Sequence, residues 1–159
     1  MRPMLFIFAV LFTLWLAAAA MAGEFTGQVV SVPEGDTIEV LNKKRPERVR
    51  FGGIDCPEKR QPFGQEAKDA ASALVFGKDV TVRTHGKDKN GRTLAEVLLS
   101  DGTNVNQMLV AEGWCWWYPK HALNGKALKR LESDARTAKR GLWADPYPVP
   151  PWEWQKWRE

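Results

Sequence analysis

The sequence predicts a strand-rich α+β domain: a five-stranded OB-fold barrel carrying three helices. Three observations predict it. Short runs rich in valine, isoleucine and threonine alternate in polarity and are separated by Gly, Pro and Asn turns. A narrow alanine stripe with helical spacing follows the third such run. Two more helical seams come after the fifth, and neither a repeat nor a composition break marks a second domain.

Residues 1–22 are set apart as a signal peptide. Arg2 is the positive end, Met4 to Leu16 the apolar core, and Ala20-Met21-Ala22 a small-residue cleavage site. An uncleaved membrane anchor is the alternative, and the short core argues against it. The chain is therefore expected to be exported, to a periplasm or to the medium. Residues 23–143 form the expected domain and 144–159 a tail rich in proline and tryptophan.

Taken in order, Phe25 to Val32 reads as a strand, Pro33-Glu34-Gly35 as a turn, and Asp36 to Leu41 as the second strand. Asn42 to Pro46 is a polar hairpin loop. Glu47 to Ile54 is the third strand, with Arg48 and Arg50 opposite Val49 and Phe51, so Arg50 is expected to contribute little to the core. Gly52-Gly53 marks a bulge or a close backbone approach. After a loop from Lys59 to Gly64, Ala67, Ala70, Ala71, Leu74 and Val75 line one helical face, which Gly77 ends. Strands follow at Asp79 to Thr84 and Thr93 to Leu99. A helix from about Asn104 to Gly113 turns Val105, Met108 and Leu109 inward. The last helix spans Leu123 to Arg140, its seam made by Leu128, Leu131, Ala135 and Ala138. The tail is expected to lie extended across the body.

The stretch from Glu34 to Glu58 holds the chemistry. It supplies carboxylates at Asp36, Asp55 and Glu58 and guanidinium groups at Arg48 and Arg50. Carboxylates at strand ends make a hard oxygen site for Ca²⁺ or Mg²⁺, and metal with arginine stabilises charge on a phosphoryl group under attack. On residue types alone, a hairpin with acidic turns and a solvated basic edge fits equally well.

Three fragments decide between them: Gly35-Asp36-Thr37, then Arg50 ahead of Asp55-Cys56-Pro57-Glu58, then Asp88-Lys89-Asn90-Gly91-Arg92. In order and spacing they resemble the active-site sequence of the staphylococcal nuclease (thermonuclease) family, over roughly Phe25 to Trp143. The resemblance implies the OB-fold barrel and Ca²⁺ held by Asp36, Asp55 and the backbone carbonyl of Cys56. It implies Glu58 as general base and Arg50 and Arg92 as the pair gripping the scissile phosphate. Lys89 aligns with a phosphate contact and Tyr118 with a nucleotide contact. Asn90 departs from the family's tyrosine, Cys56 from its threonine, and the loop from Lys59 to Gly64 is shorter than in the best-known relative.

The function so implied is an exported, Ca²⁺-dependent endonuclease. It cuts DNA and RNA with little sequence preference and leaves 3′-phosphate ends. Nucleic acid is the partner, no stable protein partner is implied, and a monomer is expected. Two alternatives stand beside it: a catalytically inactive nucleic-acid-binding OB-fold module, and an exported interaction domain that binds no nucleic acid. The formal charge of +4 suits a polyanionic partner without specifying one. The two cysteines, Cys56 and Cys115, lie in the exported portion, so a disulfide is expected, with free buried thiols as the alternative. His85 and His121 are expected at the surface. Trp116 and Trp117 are expected to pack beneath the last helix, with stacking on bases as the other role.

Overall fold

The computed structural model describes residues 23–121 and 123–158; the expected signal peptide lies outside the described residues. The strands are β1 (Glu24–Glu34), β2 (Thr37–Asn42), β3 (Arg45–Phe51), β4 (Ile54–Asp55), β5 (Asp79–Lys87), β6 (Thr93–Leu98) and β7 (Trp116–Trp117). The helices are α1 (Gly64–Val75), α2 (Val105–Ala111), α3 (Gly125–Thr137) and a short α4 (Pro151–Lys156). Five strands close a barrel in the order β1-β2-β3-β6-β5, as expected for an OB-like fold, and β4 pairs with β7 apart from it.

Closure depends on β1. Its first half pairs with β5 and its second with β2, and register shifts after Val29 and Ser31 bend it between the two. Ile38, Val40, Val49, Phe51, Val82, Ala95 and Val97 point inward and are fully buried. The α1 stripe of Ala67, Ala71 and Val75 packs against this core; α2 adds Val105, Leu109 and Val110. Buried Asn106 on α2 donates to the carbonyls of Gly52 and Ala95 and accepts from the Val97 N–H, satisfying polar groups where β3 and β6 diverge.

Three expectations need correction. The third strand does not run to Ile54: β3 stops at Phe51, Gly52-Gly53 turns the chain, and Ile54-Asp55 pairs elsewhere. Gly53 has φ 76°, and a Cβ on Gly52 would lie 2.4 Å from Leu123, so close approach rather than a bulge explains the pair. The last helix is shorter than Leu123 to Arg140, and Ala138 is exposed. Its buried face includes Glu132, whose carboxylate accepts the Trp117 N–H at 2.6 Å. The tail is not wholly extended, because Pro151–Lys156 is helical. Proline at the first helical position gives up an N–H that would have had no partner there and pre-sets φ.

The β4–β7 ladder ties two distant segments together. Ile54 faces Trp117 and Asp55 faces Trp116, while the Tyr118 N–H donates to Gly53. One step along, Cys56 and Cys115 are joined by the expected disulfide, with Cα atoms 4.1 Å apart. Trp116 packs beneath α3 beside Trp143, as expected, with Arg136 across both rings.

Candidate active site

The barrel end where β1 turns into β2 and β3 leads to β4 opens on a cleft of about 430 Å³. Asp36, Arg50, Asp55, Cys56, Glu58, Lys89, Arg92 and Tyr118, drawn from four separate stretches of sequence, all border it.

Asp36 stands in the tight β1–β2 turn and is 4% exposed. Its Oδ2 accepts the Cys56 N–H at 2.8 Å, and its Oδ1 accepts the Thr37 hydroxyl at 3.1 Å. Asp55 is delivered by β4, so the disulfide and the β4–β7 ladder flank its backbone. Between the two carboxylates lies Arg50, whose Nη2 is 3.0 Å from Asp55 Oδ1 and 3.2 Å from Asp36 Oδ2. Its Nη1 donates to the carbonyls of Phe51 and Ile54 at 2.7 and 2.9 Å. The expectation that Arg50 contributes little to the interior is therefore wrong. Its side chain is 7% exposed and holds the β3–β4 turn. Strand alternation placed it opposite Phe51 correctly but could not show that the turn folds over it.

Two carboxylates share one guanidinium, which leaves a net negative charge. Burial, then the charge of Asp36, pushes the Asp55 carboxyl up to about 7 against the pull of Arg50. Glu34, next to the turn, is raised by burial and then by Asp36. An all-oxygen donor set with unbalanced negative charge fits a hard divalent cation. Among the described residues, no three His, Cys, Asp or Glu side chains form a ready-made cage. Carbonyl and water ligands would have to complete the coordination.

Arg92 faces this group from the β5–β6 turn. Its Nε donates to Asp88 Oδ2 at 2.7 Å, and its backbone N–H to Asp88 Oδ1 at 2.9 Å. Its Nη1 reaches Thr37 Oγ1 at 3.4 Å. Burial alone would raise the Asp88 carboxyl, but the Arg92 and Asn90 hydrogen bonds outweigh it and hold it below the usual range. Asp88 belongs to one of the three sequence fragments, yet nothing in sequence showed that it clamps Arg92.

Glu58 closes the near rim. A Cβ on Gly64 would lie 1.9 Å from the Glu58 carbonyl, so the short loop after Glu58 closes only over glycine. Glu58 Oε1 accepts from Gln155 Nε2 at 2.7 Å, and Oε2 from Arg158 Nη1 at 2.8 Å. Tyr118 and Trp152 form the aromatic wall, their rings 5.5 Å apart. His121, expected at the surface, is half-buried on the same wall, and burial, then Arg50, lowers its pKa. His85 is exposed, as expected. No sequence signal pointed to Trp152, Gln155 or Arg158, and the sequence showed no partner for His121, because only the fold brings the two aromatic segments to the cleft.

The staphylococcal nuclease homologue family matches residues 48–145, more than half of the chain. The chain belongs to the staphylococcal nuclease family. Membership makes it a nuclease, a hydrolase, by homology, and the family implies a metal-dependent one. An uncharacterized endonuclease of Escherichia coli O157:H7 is 43% identical over 135 residues, covering 85% of this chain and 88% of that protein. Protein ParB of Escherichia coli is 41% identical over 160 residues, covering 93% and 88%. A micrococcal nuclease of Shigella flexneri is 36% identical over 142 residues, covering 84% and 82%. The disulfide is compatible with an oxidising compartment. Among the described residues, no helix of this nuclease homologue is long and apolar enough to cross a membrane.

Proposed function

We propose that this protein is an exported, Ca²⁺-dependent endonuclease. In this reading it hydrolyses DNA and RNA with little sequence preference and leaves 3′-phosphate ends. Residues 1–22 serve as a cleaved signal peptide, and the enzyme acts as a monomer. The observation that carries the proposal is the cleft itself: a buried and a part-buried carboxylate with one guanidinium between them, a second guanidinium facing them and a third carboxylate at the rim. A module that only bound nucleic acid would gain nothing from holding Asp36 and Asp55 together, since the one guanidinium between them does not balance two carboxylates.

Asp36, Asp55 and the Cys56 carbonyl would hold Ca²⁺, which when bound supplies positive charge opposite the scissile phosphate. Arg50 and Arg92 would contact the phosphate, Arg50 by exchanging a carboxylate contact of its Nη2 for a phosphate oxygen. A planar guanidinium suits paired phosphate oxygens and the charge that grows on them in the five-coordinate transition state. Glu58 accepts a proton from the attacking water as its oxygen bonds to phosphorus. The bond from phosphorus to the 5′ oxygen breaks, and that oxygen leaves by taking a proton from solvent water, while the proton on Glu58 returns to solvent. The phosphate stays on the 3′ side. Lys89 and Tyr118 contact the substrate's phosphate and nucleotide.

The test is cleavage of a plasmid and of a defined oligonucleotide with Ca²⁺, with Mg²⁺ and with chelator, followed by end-group analysis. Ca²⁺-dependent cutting with 3′-phosphate ends is expected, with Mg²⁺ a poor substitute. Binding without cleavage under every condition would leave the inactive binding module as the function.

A further inference from the structure

The family match ends at residue 145, yet the cleft does not. Beyond it the chain crosses beneath the Glu58 loop, where Gln61 Nε2 donates to the Val149 carbonyl at 2.6 Å. Pro151 is buried, and Trp152 sits between Trp116, edge-on at 5.7 Å, and Tyr118 at 5.5 Å. These contacts seat α4 without help from Glu58. Trp152, Gln155 and Arg158 then follow at intervals of three, one side of a helical turn. The Arg158 N–H still bonds to the Gln155 carbonyl, so the turn continues past the last helical residue. Gln155 and Arg158 each donate to a different oxygen of Glu58, across 97 and 100 residues of sequence.

We propose that Gln155 and Arg158 are positioning residues that hold the Glu58 carboxylate in the orientation its work requires, so that the C-terminal tail is part of the active site. The inference rests on Glu58 being the general base. A glutamate at a loop rim samples several rotamers, and proton transfer needs its oxygen within hydrogen-bond reach of the water. One donor on each oxygen selects a single carboxylate plane. Each oxygen keeps a second acceptor direction for the water. Arg158 is half-exposed, with 53% of its side chain accessible, so its ion pair adds little to global stability. Removing it should disturb the orientation of Glu58 and leave the fold intact.

The experiment uses the full chain and steady-state cleavage of a defined oligonucleotide. Arg158→Ala and Gln155→Ala should each lower kcat by roughly 10-fold, and the pair together by roughly 100-fold, the scale of a small misplacement of a catalytic group. KM and the urea midpoint should stay within error of wild type, and Arg158→Lys should recover part of the loss. In a Glu58→Gln background, Arg158→Ala should cost nothing further in kcat, because the residue acts through Glu58. If Glu58→Gln cuts as fast as wild type, the assignment of Glu58 itself fails. If Glu58→Gln is impaired while Arg158→Ala and Gln155→Ala keep wild-type kcat, the positioning inference fails alone. A rise in kcat in either alanine variant would also overturn it, and would make the tail a latch on the base.

Discussion

Reduction of the Cys56–Cys115 bond should weaken the fold by an amount that its topology sets. The two cysteines are 59 residues apart and nearly inaccessible, at 4% and 0% exposure. Releasing a loop of that size restores denatured-chain entropy equivalent to about 4 kcal/mol in the chain-entropy account, with about 2–4 kcal/mol typical of measured cases. That is a large share of the roughly 5–15 kcal/mol by which domains are stable. The assay is urea unfolding of the same protein, oxidised and fully reduced, followed by fluorescence of the buried Trp116 and Trp143. Reduction keeps both sulfur atoms in place, so the comparison isolates the cross-link from packing. The midpoint should fall and the slope m should rise, since an uncrosslinked chain exposes more surface on unfolding. The ladder beside Asp55 loses its covalent tie, so under the proposed function half-maximal activity should need more Ca²⁺. Equal midpoints in samples whose two thiols titrate as free would refute the reasoning.

Arg50→Ala should lower kcat by roughly 100-fold. It should also cost about 3–5 kcal/mol of stability, because it leaves buried Asp36 and part-buried Asp55 without the guanidinium they share; an unchanged urea midpoint would count against that. Arg50→Lys should retain more stability than activity, since it keeps the charge but not the fork that spans two carbonyls and two carboxylates. Asp88→Asn should loosen Arg92 and lower stability at pH 7 by about 1.5–3 kcal/mol. The Asp88 carboxyl is depressed in the folded protein, so its contribution is present above the unfolded value near 3.9 and is lost as pH falls through the folded value. Unfolding curves below about pH 4 should therefore be less pH-dependent in the variant than in wild type. Gly64→Ala should displace the Glu58 carbonyl and lower kcat with little change in KM, read from the same cleavage kinetics.

By itself the sequence determined what local periodicity and turn chemistry encode. Alternation located five strands because each barrel strand buries one face, and the alanine stripe located α1 because a helix lying close on a barrel needs small side chains. The set Asp36, Arg50, Asp55, Glu58 and Arg92 was legible only through the resemblance of three fragments to a family's active-site sequence, since residue types alone fit a solvated hairpin equally well. Tertiary structure decided what depends on contacts between distant segments. Whether Arg50 is a surface charge or a buried brace depends on a turn closing over it, and alternation is the same in both cases. The parting of β4 from β3 goes with its pairing to β7, so that Asp55 takes Trp116 as its partner, a residue 61 positions away in a chain of 159. The tail's role lay furthest out of reach. Six residues are too few for a helix that stands alone, and what seats α4 is an aromatic cluster gathered from Trp116, Tyr118 and Trp152, long-range packing that no window of sequence contains.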